Sequence, residues 1–533
     1  MHKNYLPFYK TGYFSSLICD YLEEKPELGQ FYNRFPKLNN FKGQIEEKHG
    51  AYNKASREIL ISVLERQYSN IETSELTSQH IESLKSEKTF TITTGHQLNL
   101  FTGPLYFLYK IVSTINLATE LKSQYPEFNF VPVYWMATED HDFEEINYLN
   151  FKGKKIQWSK DVGGAVGALS TEGLKEVFNV LKDEWGHSKN AENLKQLFEE
   201  AYLQHNNLAD ATRFLANALF KVYGLVIVDA NDAELKRMFL PYMKEELLKN
   251  TSYKVVTETN NALTKLSEDY KIQVNPREIN LFYLKAGLRE RIVFENGVYS
   301  VLNTDISWNE SELMDHIEIH PERFSPNVVM RPLYQEVILP NLCYIGGGGE
   351  LAYWFQLKSF FKEVKVPFPL LLLRNSVLIE SESQQKKRES LNLSNEDIFL
   401  KRHTFINKKV REISNIDIDF SSQAEHLEQQ FQDLYKLAEQ TDKSFIGAVK
   451  AQEVKQLKGL RSLEKRLLKA QKRKLSDQVM RMTDLQNDLF PSGSLQERNI
   501  NFSELYLEYG DSLIAQLIEN LEPLNMNFLI LKI

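Results

Sequence analysis

The feature that most constrains the fold is an apolar run, Phe130-Val131-Pro132-Val133-Tyr134-Trp135-Met136-Ala137. It stops at five carboxylates and an imidazole packed between Glu139 and Glu145. Eight residues without polar alternation predict a strand buried on both faces. Such a strand needs a sheet with helices on either side. Upstream, Thr89-Phe90-Thr91-Ile92-Thr93-Thr94 is a β-branched strand ending at Gly95-His96-Gln97. A helix is expected from Leu105 to about Lys122, with Pro104 well placed near its start. This strand–loop–helix–strand order is a βαβ unit, the seed of a parallel sheet. Gly224 to Asp229, and the proline-flanked run Val366 to Leu373 followed by Arg374-Asn375-Ser376, predict further strands. The expected class is α/β, with a parallel-sheet core over residues 89–380 and insertions near 150–215 and 250–320.

The flanks differ from the core. Residues 1–88 read as a helical segment packing on it, because Ile59, Leu60, Val63 and Leu64 recur at helical spacing. Residues 381–490 read as a helical coiled-coil domain. Residues 424–489 contain no proline, and Leu427, Phe431, Leu434 and Ala438 step by four, three and four. Leu460, Leu463 and Leu467 repeat the spacing, as do Leu475, Val479 and Met482, while Gly447 and Gly459 weaken it. The stretch Lys450 to Lys474 is strongly basic; a solvated coiled-coil face accounts for it better than nucleic-acid binding does. Pro491-Ser492-Gly493-Ser494 is a turn, and residues 491–533 are expected to return to the core, with Phe528 to Ile533 as a strand.

Composition narrows the function classes. The chain has 533 residues, 42% hydrophobic and 26% charged, enough for two to four globular domains. A net charge of −8 argues against a general nucleic-acid binder. The two cysteines, Cys19 and Cys343, cannot build a disulfide framework or a CxxC zinc site, which suits a reducing cytoplasm. The start lacks an apolar signal region, and the longest dense apolar run is too short to span a bilayer.

Four clusters could carry chemistry. In open α/β sheets, ligands bind beyond the carboxyl ends of strands, which is where Glu139, His141 and Asp142 stand. Glu139 and Asp142 could hold Mg²⁺ against phosphate; a solvated acidic loop or helix start explains the same residues. Gly95, His96 and Gln97 lie between a strand and a helix, where backbone N–H groups attract anions, and the loop closes at Gly103. His96 could donate to an anion or move a proton. Asn327 and Arg331 are polar points in an apolar context. Arg331 suits a carboxylate or phosphate clamp, or equally a buried ion pair. Finally, Gly346, Gly347, Gly348 and Gly349 precede Glu350 and a helix. Four glycines cost backbone entropy, so either a ligand approaches the backbone closely or the segment is a hinge.

Together these blocks resemble the cysteine-adding enzymes of bacillithiol biosynthesis, a family of cysteine ligases. The matching segments are Thr94-Gly95-His96-Gln97, Leu100 to Tyr106, Glu139 to Asn147, Pro321 to Ser325, Asn327 to Val329, Arg331-Pro332 and Gly349 to Trp354. Gly348 stands where the family's turn is expected to carry proline. The resemblance implies a Rossmann-like, nucleotidyltransferase-type core, distantly similar to class I aminoacyl-tRNA synthetases, and a homodimer formed through the coiled coil. It implies a ligase that joins the carboxyl of L-cysteine to the amine of malyl-glucosamine. ATP, with or without Mg²⁺, would activate the carboxyl, and no tightly bound cofactor is expected. The implied catalytic residues are His96, His141 and Asp142. Gly95, Gln97, Gly103, Glu139, Asn327, Arg331, Gly346, Gly347, Gly349 and Glu350 are the implied binding residues. No membrane or nucleic-acid partner is expected. The competing class is a non-catalytic coiled-coil scaffold or nucleotide-binding module on the same core.

Overall fold

The computed structural model describes residues 3–441 and 443–533. Its centre is a five-stranded sheet of β1 (Thr89–His96), β2 (Asn129–Met136), β3 (Val226–Asp229), β4 (Asn341–Gly346) and β5 (Leu370–Leu373). The spatial order is β5-β4-β1-β2-β3 and every pairing is parallel. This is the doubly wound order of a Rossmann-like sheet, whose direction of winding reverses between β1 and β4. β1 and β2 are buried almost throughout, as a strand covered by helices requires. β4 is the strand that composition hides: its apolar run ends in glycines.

The helices that frame the site are α1 (Tyr106–Gln124), α2 (Ala233–Lys249), α3 (Arg331–Ile338) and α4 (Gly348–Phe355). α1 crosses from β1 to β2. Its Leu117 and Leu121 join Phe41 and Ile45 of the N-terminal part in one apolar cluster with Phe90, Ile92 and Leu370 of the sheet. Residues before β1 are mostly helical, but Lys3–Leu6 is a strand. It pairs with Phe528–Lys532, which also pairs with Val377–Glu380. The C-terminal strand therefore enters a separate three-stranded sheet rather than the five-stranded one.

Two insertions interrupt the core. A mainly helical one lies between β2 and β3. Between α2 and α3, five antiparallel strands form a second sheet. Its strands Leu288–Glu295 and Phe324–Pro326 bring Arg289, Pro326 and Asn327 to the core.

Beyond the sheets, α5 (Ser421–Ala438) and α6 (Lys443–Lys474) form a helical hairpin, and α7 (Ser476–Leu489) follows. Phe431, Ala438 and Val449 pack between α5 and α6 with Leu427 and Ile446. α6 runs unbroken through Gly447 and Gly459. The third leucine set behaves differently from the coiled-coil pattern: Met482, Leu485 and Leu489 of α7 are buried in the main core. There the apolar stripe meets the globular body instead of another long helix.

Candidate active site

A cavity of about 350 Å³ opens at the carboxyl ends of β1, β2 and β4, at the point where the winding reverses. Its walls are built by continuity of the chain. β1 ends in Gly95 and His96, and Gln97 follows. β2 leads into Ala137 to Asp140. Tyr344 projects from β4, Glu350 and Tyr353 from α4, and Arg331 from the first turn of α3. An ideal Cβ on Gly346 would sit 2.9 Å from both Leu351 Cδ1 and Tyr344 Cε1. Gly346 therefore lets α4 close tightly over the end of β4, which sets the position of Glu350.

Arg331 dominates the electrostatics. Its guanidinium is buried, and no carboxylate among the described residues pairs with it. It lies 5.7, 5.6 and 6.0 Å from the ring centroids of Trp135, Tyr344 and Trp354, distances at which cation–π attraction operates. Nη1 donates to Gln335 Oε1 at 3.0 Å, and the Tyr353 side chain lies close enough to favour the charged form. Nη2 has no hydrogen-bond partner among the described residues. Burial works against the charged form, but the neighbouring tyrosines and Glu350 outweigh it and raise the pKa. Of the two readings the sequence left open, the buried ion pair is not what forms among the described residues: Arg331 lines the cavity as an unpaired cation.

Lys110 adds a second charge. It sits in α1 among Leu108, Tyr109, Ile111 and Val112, donates to the Gly95 carbonyl at 2.7 Å and pairs with Glu350 Oε1 at 2.6 Å. Burial lowers its pKa, and Glu350 opposes the fall. Burial pushes the Glu350 carboxyl up, but Lys110, the Tyr344 hydroxyl at 2.7 Å and the Gly347 N–H at 3.1 Å outweigh it, so Glu350 is held ionised. Gly347 thus acts as the N-cap of α4 and as an anchor for Glu350.

His96 is neutral. Burial above all, then the charge of Lys110, pushes its pKa down to about 3; Glu350 and the Thr102 backbone oppose this only in part. Its Nε2 is buried without a partner among the described residues. The imidazole can hydrogen-bond a ligand but is a weak base. The loop beyond it is strained: Phe101 (φ 48), Thr102 (φ 70) and Gly103 (φ 64) all lie in the left-handed region, which costs roughly 1–2 kcal/mol for each non-glycine residue. Asn501, fully buried, holds this turn by donating to the carbonyls of Phe101 and Gly103, both at 2.7 Å.

The acidic block divides. Glu139 lines the cavity, but its carboxylate is bound by the buried Lys236 ammonium. Asp140 also lines it, accepting from Gln97 Nε2 at 3.0 Å and the His141 N–H at 2.8 Å. Burial would raise the Asp140 pKa; these hydrogen bonds and the charge of Arg289 overcome it and hold the carboxyl well below its usual range. His141 stands at the rim, where its Nδ1 accepts from Arg289 Nη1 at 2.6 Å. Asp142 is exposed, and Glu144 and Glu145 open the short helix Phe143–Ile146. Glu139 lines the cavity and Asp142 does not, and no cluster of three or more His, Cys, Asp or Glu suited to a metal occurs among the described residues.

The cavity therefore joins Gly95, His96, Gln97, Glu139, Asn327, Arg331 and Glu350. Asn327 is largely committed: its Oδ1 accepts from the Val329 N–H and its Nδ2 donates to Asn280. His141, Asp142, Gly346, Gly347 and Gly349 lie outside the lining, and Gly103 lines a neighbouring recess. Sequence reasoning missed Lys110, Asp140, Arg289 and Tyr353. For Lys110 a signal existed: one ammonium inside a helix buried on every side must have a buried partner.

The chain was compared with known proteins. Residues 1–375 match the family model described as bacillithiol biosynthesis BshC, N-terminal Rossmann-like domain, and residues 377–533 match the BshC C-terminal coiled-coil domain. A protein of Flavobacterium johnsoniae is 61% identical, with 99% of each chain covered. One from Christiangramia forsetii is 60% identical over 100% of this chain and 99% of its own. A more distant one from Lysinibacillus sphaericus is 27% identical over 95% of each. All three carry the name "Putative cysteine ligase BshC".

Proposed function

The chain belongs to the BshC family of bacillithiol biosynthesis, and we propose that it is a ligase joining the carboxyl of L-cysteine to the amine of malyl-glucosamine, with ATP activating the carboxyl. The observation that carries this reading is the unpartnered, buried Arg331 donor in a cavity at the winding reversal of a Rossmann-like sheet. A free acid and an amine do not condense unaided. The acid must first become an acyl adenylate or acyl phosphate, and each is an anion that needs fixed donors. Arg331 supplies such a donor at the carboxyl ends of the strands, where a fixed donor stabilises developing charge, and the neutral His96 imidazole lines the same wall. Lys110 balances Glu350 and adds positive field beneath Gly95. Asp140, held ionised, accepts a hydrogen bond from the incoming amine. Glu139, tied to Lys236, fixes the wall instead of moving a proton.

The second part of the reading is assembly. Leu437 and Leu463 are 54% and 55% exposed on the α5–α6 hairpin, and Leu434, Phe445 and Val454 of the same hairpin are exposed too. A single hairpin leaves this apolar surface in water, so we propose that two copies associate through it. No helix among the described residues is long and apolar enough to cross a membrane. The two unpaired cysteines support a cytoplasmic setting.

The test is direct. Purified protein is incubated with L-cysteine, malyl-glucosamine and ATP, and products are followed by mass spectrometry. Bacillithiol formed with stoichiometric AMP or ADP supports the reading. Absence of product with every nucleoside triphosphate tried refutes it. Sedimentation at micromolar concentration tests the dimer, and Leu437→Glu with Leu463→Glu should convert it to monomer.

A further inference from the structure

Beside the cavity just described lies a second recess of about 380 Å³, and Gln97 and Tyr106 line both. The two differ in chemistry. The first sets the cations Lys110, Arg289 and Arg331 and the rings of Trp135, Tyr344 and Tyr353 beside carboxylates, of which Glu139 and Glu350 are ion-paired. The second presents side-chain amides, carboxylates and one guanidinium: Asn99, Asn150, Glu144, Glu145, Tyr148 and Arg498. Much of this polarity is uncommitted. Among the described residues, the Arg498 guanidinium and the Glu144 carboxylate have no hydrogen-bond or ion-pair partner. Asn99 is 7% exposed, and its Oδ1 is buried without a partner. A buried carbonyl oxygen left unsatisfied costs about 1–3 kcal/mol unless something donates to it.

We infer that this second recess is the acceptor subsite, taking a polyhydroxylated amino sugar that bears a carboxylate. The inference rests on the ligase reading above and assigns where its second substrate sits. Sugar hydroxyls both donate and accept, so they are matched by amides and carboxylates rather than by cations alone. Asn99 and Asn150 offer paired donors and acceptors for neighbouring hydroxyls. Glu144 accepts from hydroxyl or ammonium protons, and the Tyr148 ring, with Lys155 Nζ 4.1 Å from its centroid on one face, offers the other to the apolar side of a pyranose. Arg498, on the far side, suits the carboxylate.

The wall between the two recesses is Gln97. Its single Nε2 donates to Asp140 Oδ2 at 3.0 Å on the first side and to Glu145 Oε2 at 2.9 Å on the second. An amine entering from the second recess meets these two carboxylates at the point where it must face an acyl group held near Arg331. Arg498 comes from the C-terminal coiled-coil module matched over residues 377–533. Neighbouring Glu497 anchors that segment by accepting from Arg374 Nη2 at 2.8 Å and from the Val377 N–H at 3.0 Å. The site is thus incomplete without the C-terminal module, although the sheet belongs to the N-terminal one.

The test uses full-length protein and the variants Arg498→Ala and Glu144→Gln. Both side chains are exposed, so folding is not at stake. KM is measured separately for malyl-glucosamine and for cysteine, and binding of malyl-glucosamine and of glucosamine is measured by calorimetry without nucleotide. Arg498→Ala should raise the KM and Kd for malyl-glucosamine about tenfold or more and leave the KM for cysteine within about twofold. Its Kd for glucosamine, which lacks the carboxylate, should be unchanged, whereas Glu144→Gln should weaken both sugars. If wild-type protein makes product but neither variant shifts the malyl-glucosamine constants, the subsite is wrong and the ligase reading stands. If wild-type protein makes no product yet binds malyl-glucosamine in an Arg498-dependent way, the subsite stands and the ligase reading fails. If Arg498→Ala raises the cysteine KM equally, the partition between recesses is refuted.

Discussion

Replacing Arg331 by methionine separates a binding role from a structural one, because the two predict opposite balances of stability and activity. In the free protein the guanidinium is buried against three rings, with a bond to Gln335, Tyr353 close by and no paired carboxylate among the described residues. Desolvating an ion costs several kcal/mol. Each ring contact returns about 0.5–2 kcal/mol, and each hydrogen bond about 1 kcal/mol. The sums nearly cancel, so Arg331→Met should change the stability of the free protein by less than about 2 kcal/mol. A bound anion loses much more. Removing one member of a buried, hydrogen-bonded charge pair costs about 2–5 kcal/mol, or roughly thirtyfold to a few thousandfold in affinity. The assay pairs thermal unfolding, with and without cysteine and ATP, with kcat/KM. Expected are a melting temperature close to wild type, loss of the ligand-induced rise, and kcat/KM down by at least about thirtyfold. A variant that loses much of its stability while keeping kcat/KM would show that Arg331 serves the core.

The other expectations are narrower. His96 is neutral in the fold with a pKa of about 3, whereas in the unfolded chain it titrates near the usual ~6.5. Between those values the unfolded state binds more protons, so this group's contribution to stability is present above about pH 6.5 and is lost as pH falls, by about 2 kcal/mol at pH 5. His96→Gln should flatten the dependence on pH measured by denaturant titration between pH 7 and 5. An unchanged slope would show that the imidazole is not buried as described. Asn501→Ala removes both donors that hold the left-handed turn at Phe101 and Gly103 and should destabilise by about 2–4 kcal/mol, with a fall in kcat because the turn carries the His96 loop. Gly346→Ala should cost about 1–3 kcal/mol, since its Cβ meets Leu351 and Tyr344 at 2.9 Å. Gly349→Ala, whose Cβ meets nothing closer than 4.0 Å, should be neutral or stabilise by up to about 1 kcal/mol. Equal melting curves for those two variants would contradict the packing assigned to the glycine turn.

What could be read from the residues followed the strength of the local signal. β1 and β2 declared themselves because a strand buried on both faces is apolar without alternation, and Pro104 and Lys122 bracket α1 closely. β4 did not, because four glycines mask the strand that precedes them. The coiled-coil spacing located α5 and α6 but extended too far. α7 shares the three-and-four pattern, yet its stripe is buried in the globular core, and spacing alone does not say what an apolar stripe meets. At the site, Gly95, His96 and Gln97 were visible as a turn between strand and helix, Arg331 as a polar point in an apolar context, and Glu350 by the four glycines before it. Arg289 and Arg498 were not. They arrive from an antiparallel insertion and from the C-terminal module, and only the folded topology brings them near β1. The acidic block was legible as a block. Its division into Glu139 and Asp140 inside and His141 and Asp142 outside depends on the turn after β2.

The most direct test of the whole account follows the oxygen atoms of the carboxyl group. L-Cysteine labelled with ¹⁸O in its carboxyl is supplied with ATP and malyl-glucosamine, and the label is traced by mass spectrometry. If ATP activates that carboxyl, one ¹⁸O per bacillithiol formed appears in AMP or in inorganic phosphate, and the other stays in the amide carbonyl. Bacillithiol that accumulates with no label in either phosphorus product would contradict carboxyl activation by ATP at this site.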